Sequence, residues 1–518
     1  MRRAILLLAG CLATPPMVLG QGRPLTLEDY YRLESAGSPA ISPDGRWVAF
    51  TRSSIVESDN WRHSEVWLAA TDGSAPPVRL THPTFNSSSP RWSPDGRLLS
   101  FVSQRRLPGD AGSRRSVWFL RMDQPGEAFQ IPGVDAAPVF SPDNQWIALS
   151  LPTPPPQRPE PASTEFERTL TKRFEGKIYD WMNYRFDGRG YLPDPRNPYA
   201  TPPEELYLVP REGGTPRQLT LLGVNVQEVV WRPDSRALAV VADAHQRDES
   251  TYERADLWVV DVNGPVVRLT DDGFNHDAPA WTPDGQWLVF RRRAGLNQVI
   301  AAGQGHGAPV DLYRLRAAGG GMENLTAAWD LLPGSPTVSP DGRWVYFSAG
   351  VQGATHLFRV PLAGGEVQQV TRGERRLAGF TFSARFDHMA YTASDPTHPA
   401  EVYSARADGT AEQRLSRLND AWLASTALRP AERLTFQSKD GTPVEGWLIL
   451  PASGQDGGRV PMILSIHGGP HGDYGYDFSF QFQLWAAAGY AVLFTNPRGS
   501  TGYGEKFLWG TWGGWGLR

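Results

Sequence analysis

Cysteine, lysine and long hydrophobic runs are all scarce in this chain of 518 residues. A single cysteine, Cys11, cannot form an intramolecular disulfide, so packing has to stabilise the fold. After the N-terminus no apolar run approaches the roughly 18 residues that a membrane-spanning helix needs. We therefore expect no integral membrane span in the body of the chain.

An excess of charge of one sign is also lacking. The chain has 51 Lys and Arg against 55 Asp and Glu, a formal net charge of −4, and the arginines are dispersed. Nucleic-acid surfaces are clustered and basic, so we expect no nucleic-acid partner. The 10 histidines are scattered without ligand spacing. We therefore predict no metal site and no cofactor.

The N-terminus has the pattern of a secretory signal. Two arginines precede the apolar stretch from Ala4 to Ala9, and small residues lie before Gln21. We expect a signal peptide over residues 1–20, and a secreted or periplasmic protein. Because Leu8-Ala-Gly-Cys11 is similar to a bacterial lipoprotein box, the alternative is a lipoprotein anchored through Cys11.

A phrase similar to Ser-Pro-Asp-Gly-Arg-Trp, followed by an apolar run, recurs along the chain. Pro presets the backbone, Asp caps it and Gly accepts a positive φ, so each copy predicts a tight turn before a half-buried strand. A period of roughly 40–50 residues with several short strands per unit is typical of propeller blades. The copies begin at Ser42, Ser93, Ser141, Arg232, Thr282, Ser339 and, in degenerate form, Ser383.

This repeat predicts an all-β, seven-bladed β-propeller over residues 21–430, with an insertion over residues 151–203 in blade three. Arg185 and Asp187 lie in a part of the insertion that is dense in charge and aromatic residues, and are candidate substrate-binding residues. The alternative is a local ion pair that stiffens a surface loop. Glu204 and Glu205 could pair with a peptide amino group, but position 205 starts a strand, which favours a coincidental match.

After residue 430 the pattern changes to that of an α/β unit. We predict a hairpin over residues 433–450, buried strands over 460–466 and 490–495, and a helix over 480–489 between them. Strand, glycine loop, helix and strand form the opening of an α/β fold. We therefore predict the N-terminal part of an α/β-hydrolase domain over residues 431–518.

The loop after the first of these strands reads His467-Gly-Gly-Pro-His471, and the loop after the second begins Asn496-Pro-Arg-Gly-Ser500. His-Gly-Gly after a buried strand is typical of an oxyanion loop, because glycines let backbone N–H groups face the developing charge. The pairing of this loop with Asn-Pro-Arg-Gly-Ser about 25 residues later is a stronger signal than either phrase alone.

With the repeats before them, these two phrases resemble the prolyl oligopeptidase family of serine peptidases, and its bacterial acylaminoacyl-peptidase and dipeptidyl-peptidase-5-like members in particular. The resemblance implies hydrolysis of short peptides through an acyl-enzyme, with the propeller as a size filter. It also implies that Gly469 donates to the oxyanion, that His467 and Gly468 shape the site beside it, and that Arg498 contributes to substrate binding.

One family motif is missing, because the sequence contains no Gly-x-Ser-x-Gly. At Ser500 the position of the first glycine holds Arg498. Such a domain needs on the order of 200 residues, and far fewer follow residue 430. We therefore expect the nucleophilic Ser and its Asp and His partners to lie beyond residue 518, and this chain to be an inactive fragment. The alternatives are a pseudo-enzyme and a TolB-like propeller that acts as a binding module.

Overall fold

A computed structural model describes residues 22–105, 115–154, 164–173, 202–247, 254–301, 309–454, 459–469 and 471–511. The predicted signal peptide, Cys11, Arg185 and Asp187 lie outside these residues. The fold below therefore concerns the repeat region and the segment that follows it.

The first half of the repeat region folds into antiparallel sheets made of strands that are consecutive in the chain. Each sheet has four strands, except the second, which has three. The strands are β1 (Ser35–Ile41), β2 (Trp47–Val56), β3 (Trp61–Ala70), β4 (Val78–Arg79), β5 (Ser87–Trp92), β6 (Leu98–Ser103), β7 (Ser116–Arg121), β8 (Val139–Phe140), β9 (Trp146–Pro152), β10 (Glu204–Pro210) and β11 (Arg217–Gln218).

The second half continues the pattern with two four-stranded sheets and one of eight strands, whose two halves meet at a single parallel bridge between Thr355 and Arg376. The strands are β12 (Val226–Trp231), β13 (Ala237–Ala242), β14 (Asp256–Asp261), β15 (Val266–Arg268), β16 (Asn275–Trp281), β17 (Trp287–Arg293), β18 (Val310–Arg316), β19 (Met322–Asn324), β20 (Thr337–Val338), β21 (Trp344–Val351), β22 (Ala354–Pro361), β23 (Gln368–Gln369), β24 (Arg376–Phe382), β25 (His388–Asp395), β26 (His398–Arg406) and β27 (Gln413–Arg414).

The predicted Ser-Pro-Asp-Gly turn is confirmed and is held by side-chain hydrogen bonds. Ser42 Oγ donates to Asp44 Oδ1 at 2.5 Å, and the same carboxylate accepts from the Arg46 backbone N–H at 3.1 Å. Trp47 N donates to Ser42 Oγ at 3.0 Å, and Gly45 has a φ of +75° that favours glycine. The same set of bonds recurs in the turns that begin at Ser93, Ser141, Thr282 and Ser339.

A second repeated bond ties the outer strand of most sheets to its neighbour. Leu257 N donates to Thr270 Oγ1 at 3.0 Å, and this hydroxyl donates to Asp256 Oδ1 at 2.9 Å. The Arg-Leu-Thr-like phrases therefore end in a hydroxyl that satisfies a buried N–H and a buried acid. The corresponding N–H-to-hydroxyl bonds join Val66 to Thr81, Leu206 to Thr220, Leu312 to Thr326, Leu357 to Thr371 and Val402 to Ser416.

The first and last sheets of this region contact each other without exchanging a strand. Asn419 Nδ2 donates to Glu34 O, and Glu34 N donates to Asn419 Oδ1, both at 3.0 Å. Trp422 Nε1 donates to buried Asp29 Oδ1 at 3.1 Å. The repeat region is thus a β-propeller whose two ends are joined by these side chains and by a backbone bridge between Arg23 and Thr426. Seven antiparallel groups are present among the described residues if the eight-stranded sheet is divided at its bridge, and their assignment as seven blades stays a prediction.

α-Helices are few and short in the described residues before residue 430. They are α1 (Glu165–Arg173), α2 (Leu296–Ala301) and α3 (Asp420–Leu423). No helix in the described parts of the chain is long and apolar enough to cross a membrane.

A four-stranded sheet follows the propeller, in the order β28-β29-β31-β30. β30 runs parallel to β31, whereas the other pairs are antiparallel. The elements are β28 (Ala431–Gln437), β29 (Pro443–Ile449), β30 (Met462–Ile466), α4 (Phe480–Ala487), β31 (Ala491–Asn496) and α5 (Glu505–Leu508). The predicted hairpin, strand, helix and strand are therefore present in the predicted order.

The expected burial of the first strand after the hairpin is wrong. Met462, Leu464 and Ile466 are 56%, 50% and 64% exposed. β30 is an edge strand of this sheet, so one of its faces and one of its edges have no cover among the described residues. β31, which lies between two strands, is buried as predicted.

The turn aspartates make a testable contribution to propeller stability. Hydrogen bonds from Ser339 Oγ and the Arg343 N–H lower the pKa of Asp341 to about 2 from 3.8. Because the folded-state pKa is the lower one, this stabilisation is present above about pH 4 and is lost as the pH falls toward 2. We expect Asp341→Asn to lower the free energy of unfolding by about 1 kcal/mol at neutral pH.

Denaturant unfolding of both proteins at pH 7 and pH 3 measures this effect. The difference between Asp341→Asn and the unsubstituted chain should shrink at the lower pH. Asp123→Asn is the control, because the nearest basic group to that exposed carboxylate is Arg97 at 3.9 Å. An equal loss of stability at both pH values would show that the carboxylate charge does not matter.

Candidate active site

Two loops meet at one edge of the second sheet. The glycine loop (residues 467–473, of which residue 470 is outside the described part) begins where β30 ends. The arginine loop (residues 497–504) begins where β31 ends. Because β30 and β31 are parallel neighbours, their carboxyl ends lie together. That edge is where α/β proteins place their ligand sites.

The two loops are joined by hydrogen bonds. His467 Nε2 lies 2.8 Å from Ser500 Oγ, and His471 Nδ1 lies 3.0 Å from Gly499 O. Thr501 N donates to Gly472 O at 3.1 Å. The two phrases that the sequence singled out therefore form one unit, and neither loop has its geometry without the other.

The pair of His467 and Ser500 is not a catalytic dyad. Ser500 is fully buried, and its hydroxyl lies 2.6 Å from the carbonyl oxygen of Pro497. The other ring nitrogen of His467 lies 3.1 Å from Gly468 O, a backbone group and not a carboxylate. A nucleophilic serine needs an exposed hydroxyl and a base oriented by an acid, so this contact shapes the loops instead.

Gly469 presents backbone where a side chain would not fit. Its φ of +149° is one that L-residues rarely adopt. A Cβ at this position would lie 2.6 Å from His471 N and 3.0 Å from Gly472 N. At Gly468, by contrast, a Cβ would meet nothing within 4 Å. Both glycines are exposed at the edge of the sheet.

Arg498 is held by the hairpin of β28 and β29. Its guanidinium donates to the Asp440 carboxylate, and at 3.1 Å to Thr442 Oγ1. These residues line a cavity of about 540 Å³, together with Tyr503 and Lys506. In this structure the charge of Arg498 is therefore already paired, and substrate binding by it stays a prediction.

Asn496 was missed by the sequence analysis as a site residue. It is fully buried, and its side chain accepts from Tyr474 N at 2.7 Å and donates to Tyr474 O at 2.9 Å. It also donates to Tyr503 Oη at 2.8 Å, and that hydroxyl donates to Glu445 Oε2 at 2.6 Å. Burial and the Glu445 carboxylate raise the pKa of Tyr503. The position of Asn496 at the end of a buried strand was the available signal.

Two other sequence predictions concern groups away from these loops. Glu205 is fully buried and accepts from Thr220 Oγ1 at 2.5 Å and Gly223 N at 2.7 Å, so its carboxylate bonds within the propeller. Among the side chains that the structure describes, no three His, Cys, Asp or Glu residues are grouped so that they could hold a metal ion.

Comparisons with known proteins point to one family. The sequence profile of the prolyl oligopeptidase family matches residues 476–518, which include the arginine loop but not the glycine loop. The chain is 27% identical over 506 residues to a Bacillus subtilis protein described as the uncharacterized peptidase YuxL, covering 93% of this chain and 72% of the relative. It is 22% identical over 531 residues to dipeptidyl-peptidase 5 of Porphyromonas gingivalis, covering 98% of this chain and 73% of that protein.

These matches support a serine peptidase of the prolyl oligopeptidase family. A solved structure, the acylaminoacyl peptidase of Pyrococcus horikoshii, superposes with a TM-score of 0.68 at 19% identity, over 92% of this chain and 67% of that one. At this identity the likeness concerns the fold alone.

The conformation of Gly469 can be tested by a matched pair of substitutions. Gly469→Ala should cost about 1–3 kcal/mol, because the new Cβ meets backbone and φ is unfavourable for alanine. Gly468→Ala should be nearly neutral, because its Cβ enters open space. Thermal unfolding of the two variants measures the difference. Equal melting temperatures would contradict the geometry described for the glycine loop.

Proposed function

We propose that this family member hydrolyses short peptides by serine-peptidase chemistry, with the backbone N–H of Gly469 as an oxyanion donor. The observation that carries the proposal is the glycine loop itself. At the carboxyl end of β30 it exposes backbone at a position where a Cβ would lie 2.6 Å from His471 N. A fixed amide in such a place stabilises the negative charge that develops on a peptide carbonyl oxygen.

Gly468 and His467 support that amide, and each does so differently. Gly468 leaves the approach to the loop open, since even a Cβ there would have no neighbour within 4 Å. His467 ties the loop to Ser500 at 2.8 Å and thereby fixes the direction of the following amides. Arg498 would contribute to substrate binding if a carboxylate or carbonyl of the peptide displaced its partner Asp440. Arg185 and Asp187 remain candidate substrate-binding residues outside the described part of the chain.

The propeller would act as a size filter for peptides. Its strand β24 begins at Arg376, which contacts the glycine loop through Asp473. One face of the propeller therefore lies against the proposed site. A peptide short enough to pass this face could reach Gly469, whereas a folded protein could not. The similarity to a dipeptidyl-peptidase 5 agrees with the proposal that the substrates are short peptides.

The 518-residue polypeptide by itself is proposed to lack hydrolytic activity. Its sequence contains no Gly-x-Ser-x-Gly, and Ser500, the serine bonded to His467, is fully buried. We expect no turnover of aminoacyl or dipeptidyl chromogenic substrates and no labelling by a fluorophosphonate probe, which reacts with activated serines. Labelling of a serine in this polypeptide, lost when that serine is replaced by alanine, would contradict this part of the proposal.

A longer polypeptide that contains these 518 residues followed by a Gly-x-Ser-x-Gly segment, about 200 residues in all for such a domain, tests the function itself. The longer product should cleave short chromogenic peptides and leave a folded protein intact. In that product Gly469→Ala should lower kcat by at least about tenfold, since one oxyanion donor contributes 10²–10³. Gly126→Ala in the propeller, where a Cβ would also meet nothing within 4 Å, is the control. A longer product without peptidase activity would reject the proposed function.

A further inference from the structure

One propeller arginine reaches directly into the proposed site. Arg376, the first residue of β24, donates through Nη2 to Asp473 Oδ2 at 2.5 Å and to Asp473 O at 3.3 Å. Its Nε donates to the carbonyl oxygen of Gly353 at 3.2 Å and lies 3.3 Å from Asp477 Oδ1. A single guanidinium therefore holds the propeller hairpin at Gly353 and the last residue of the glycine loop at the same time.

Asp473 also forms a hydrogen bond with the arginine loop. Its second carboxylate oxygen, Oδ1, accepts from Thr501 Oγ1 at 2.8 Å. The Thr501 backbone N–H in turn donates to Gly472 O at 3.1 Å. The carboxylate thus joins three parts of the molecule, namely the propeller, the glycine loop and the arginine loop.

The hairpin between β21 and β22 adds backbone contacts to the same place. Gly353 O accepts from Tyr476 N at 2.9 Å, and Gln352 N donates to Gly502 O at 3.1 Å. A Cβ on Gly475 would lie 1.8 Å from Gly353 O, so the two chains approach as closely as glycine permits. The propeller consequently holds the segment after the glycine loop at several neighbouring points.

Burial makes the ion pair stronger than an ordinary surface pair. The side chains of Arg376 and Asp473 are 24% and 19% exposed. A charge-assisted bond that is partly shielded from water contributes more than an exposed one, which is often worth less than 1 kcal/mol. Loss of the guanidinium would also leave the Asp473 carboxylate half-buried without its cation.

We propose that Arg376 is a positioning residue, which holds the glycine loop in its oxyanion-binding geometry from the propeller through Asp473. The proposal rests on the proposed function only for the oxyanion role of Gly469. Its structural part is independent of that role and states that contact with the propeller keeps the glycine loop ordered. If the propeller were displaced, the Asp473 carboxylate would lose the guanidinium of Arg376. Thr501, which donates to Gly472 O, would then be held less firmly.

Hydrogen exchange in the 518-residue chain tests this directly, with Arg376→Gln as the variant. Backbone amides of residues 471–477 and 499–504 should exchange at least about tenfold faster, whereas those of β29 and β31 should not change. Arg375→Gln is the matched control. That neighbouring guanidinium is 25% exposed and pairs with Glu412 at 2.5 Å, within the propeller. Unchanged exchange in both loops of Arg376→Gln would overturn the proposal.

A double-mutant cycle with Asp473→Asn shows whether the effect travels through that carboxylate. We expect Arg376→Gln to add little once Asp473 is neutral, because both changes break one interaction. Full additivity of the two effects would overturn the proposed route. If Arg376→Gln does not fold, Arg376→Lys keeps the charge and is expected to restore part of the protection, since one ammonium cannot bridge Gly353 O and Asp473 in the same way.

The ¹⁵N resonance of the His467 imidazole provides a second measurement. A general loss of order elsewhere in the protein would not change it. The imidazole Nε2 lies against Ser500 Oγ, so its ¹⁵N resonance reports the contact between the loops. That resonance should shift in Arg376→Gln and stay in place in Arg375→Gln. None of these measurements needs turnover. A failed exchange experiment therefore rejects the positioning role alone, and a failed activity assay rejects the proposed function alone.

Discussion

The backbone contact between Gly353 and Gly475 constrains how the propeller and the second sheet fit together. The carbonyl oxygen of Gly353 occupies the space where a Cβ of residue 475 would be, and it also accepts from Tyr476 N. Trp447, fully buried in the second sheet, packs on the same hairpin, and Ala354 joins its apolar cluster. A propeller residue is thus part of the core of the second unit. The two cannot shift relative to each other without exposing apolar surface.

Within the propeller, stability depends on bonds that each repeat makes for itself. The serine and aspartate of one turn satisfy their own backbone, and the threonine hydroxyl of one outer strand satisfies the N–H beside a buried acid. These bonds join residues 2 to 15 positions apart, so a repeat needs little from its neighbours to form them. Apolar clusters then join adjacent sheets, as Ala148 and Leu206 do with Leu238. Local turns with stacked apolar faces are the physical basis of a repeat fold.

This locality explains which expectations from the sequence were correct. The turns, the hairpin of β28 and β29, and the end of α4 before Gly489, whose φ is +96°, follow from residues close together in the chain. The exposure of Met462 and Ile466 does not, because an apolar strand pattern does not say which strands flank it. The pairing of Arg498 with Asp440 also joins residues 58 positions apart, so the motif gave no indication of it.

By itself the sequence determined the β-propeller repeat, the order of elements after it and the two loops that follow β30 and β31. Each of these depends on φ preferences, hydrophobic periodicity and short-range hydrogen bonds. These properties can be recognised from residues that are close together in the sequence. Only the tertiary structure decided that Ser500 is buried against His467, that Asn496 orients Tyr474, and that Arg376 reaches Asp473 across 97 positions of the chain. These contacts join residues that are far apart in the chain, and side-chain chemistry alone does not specify the partner.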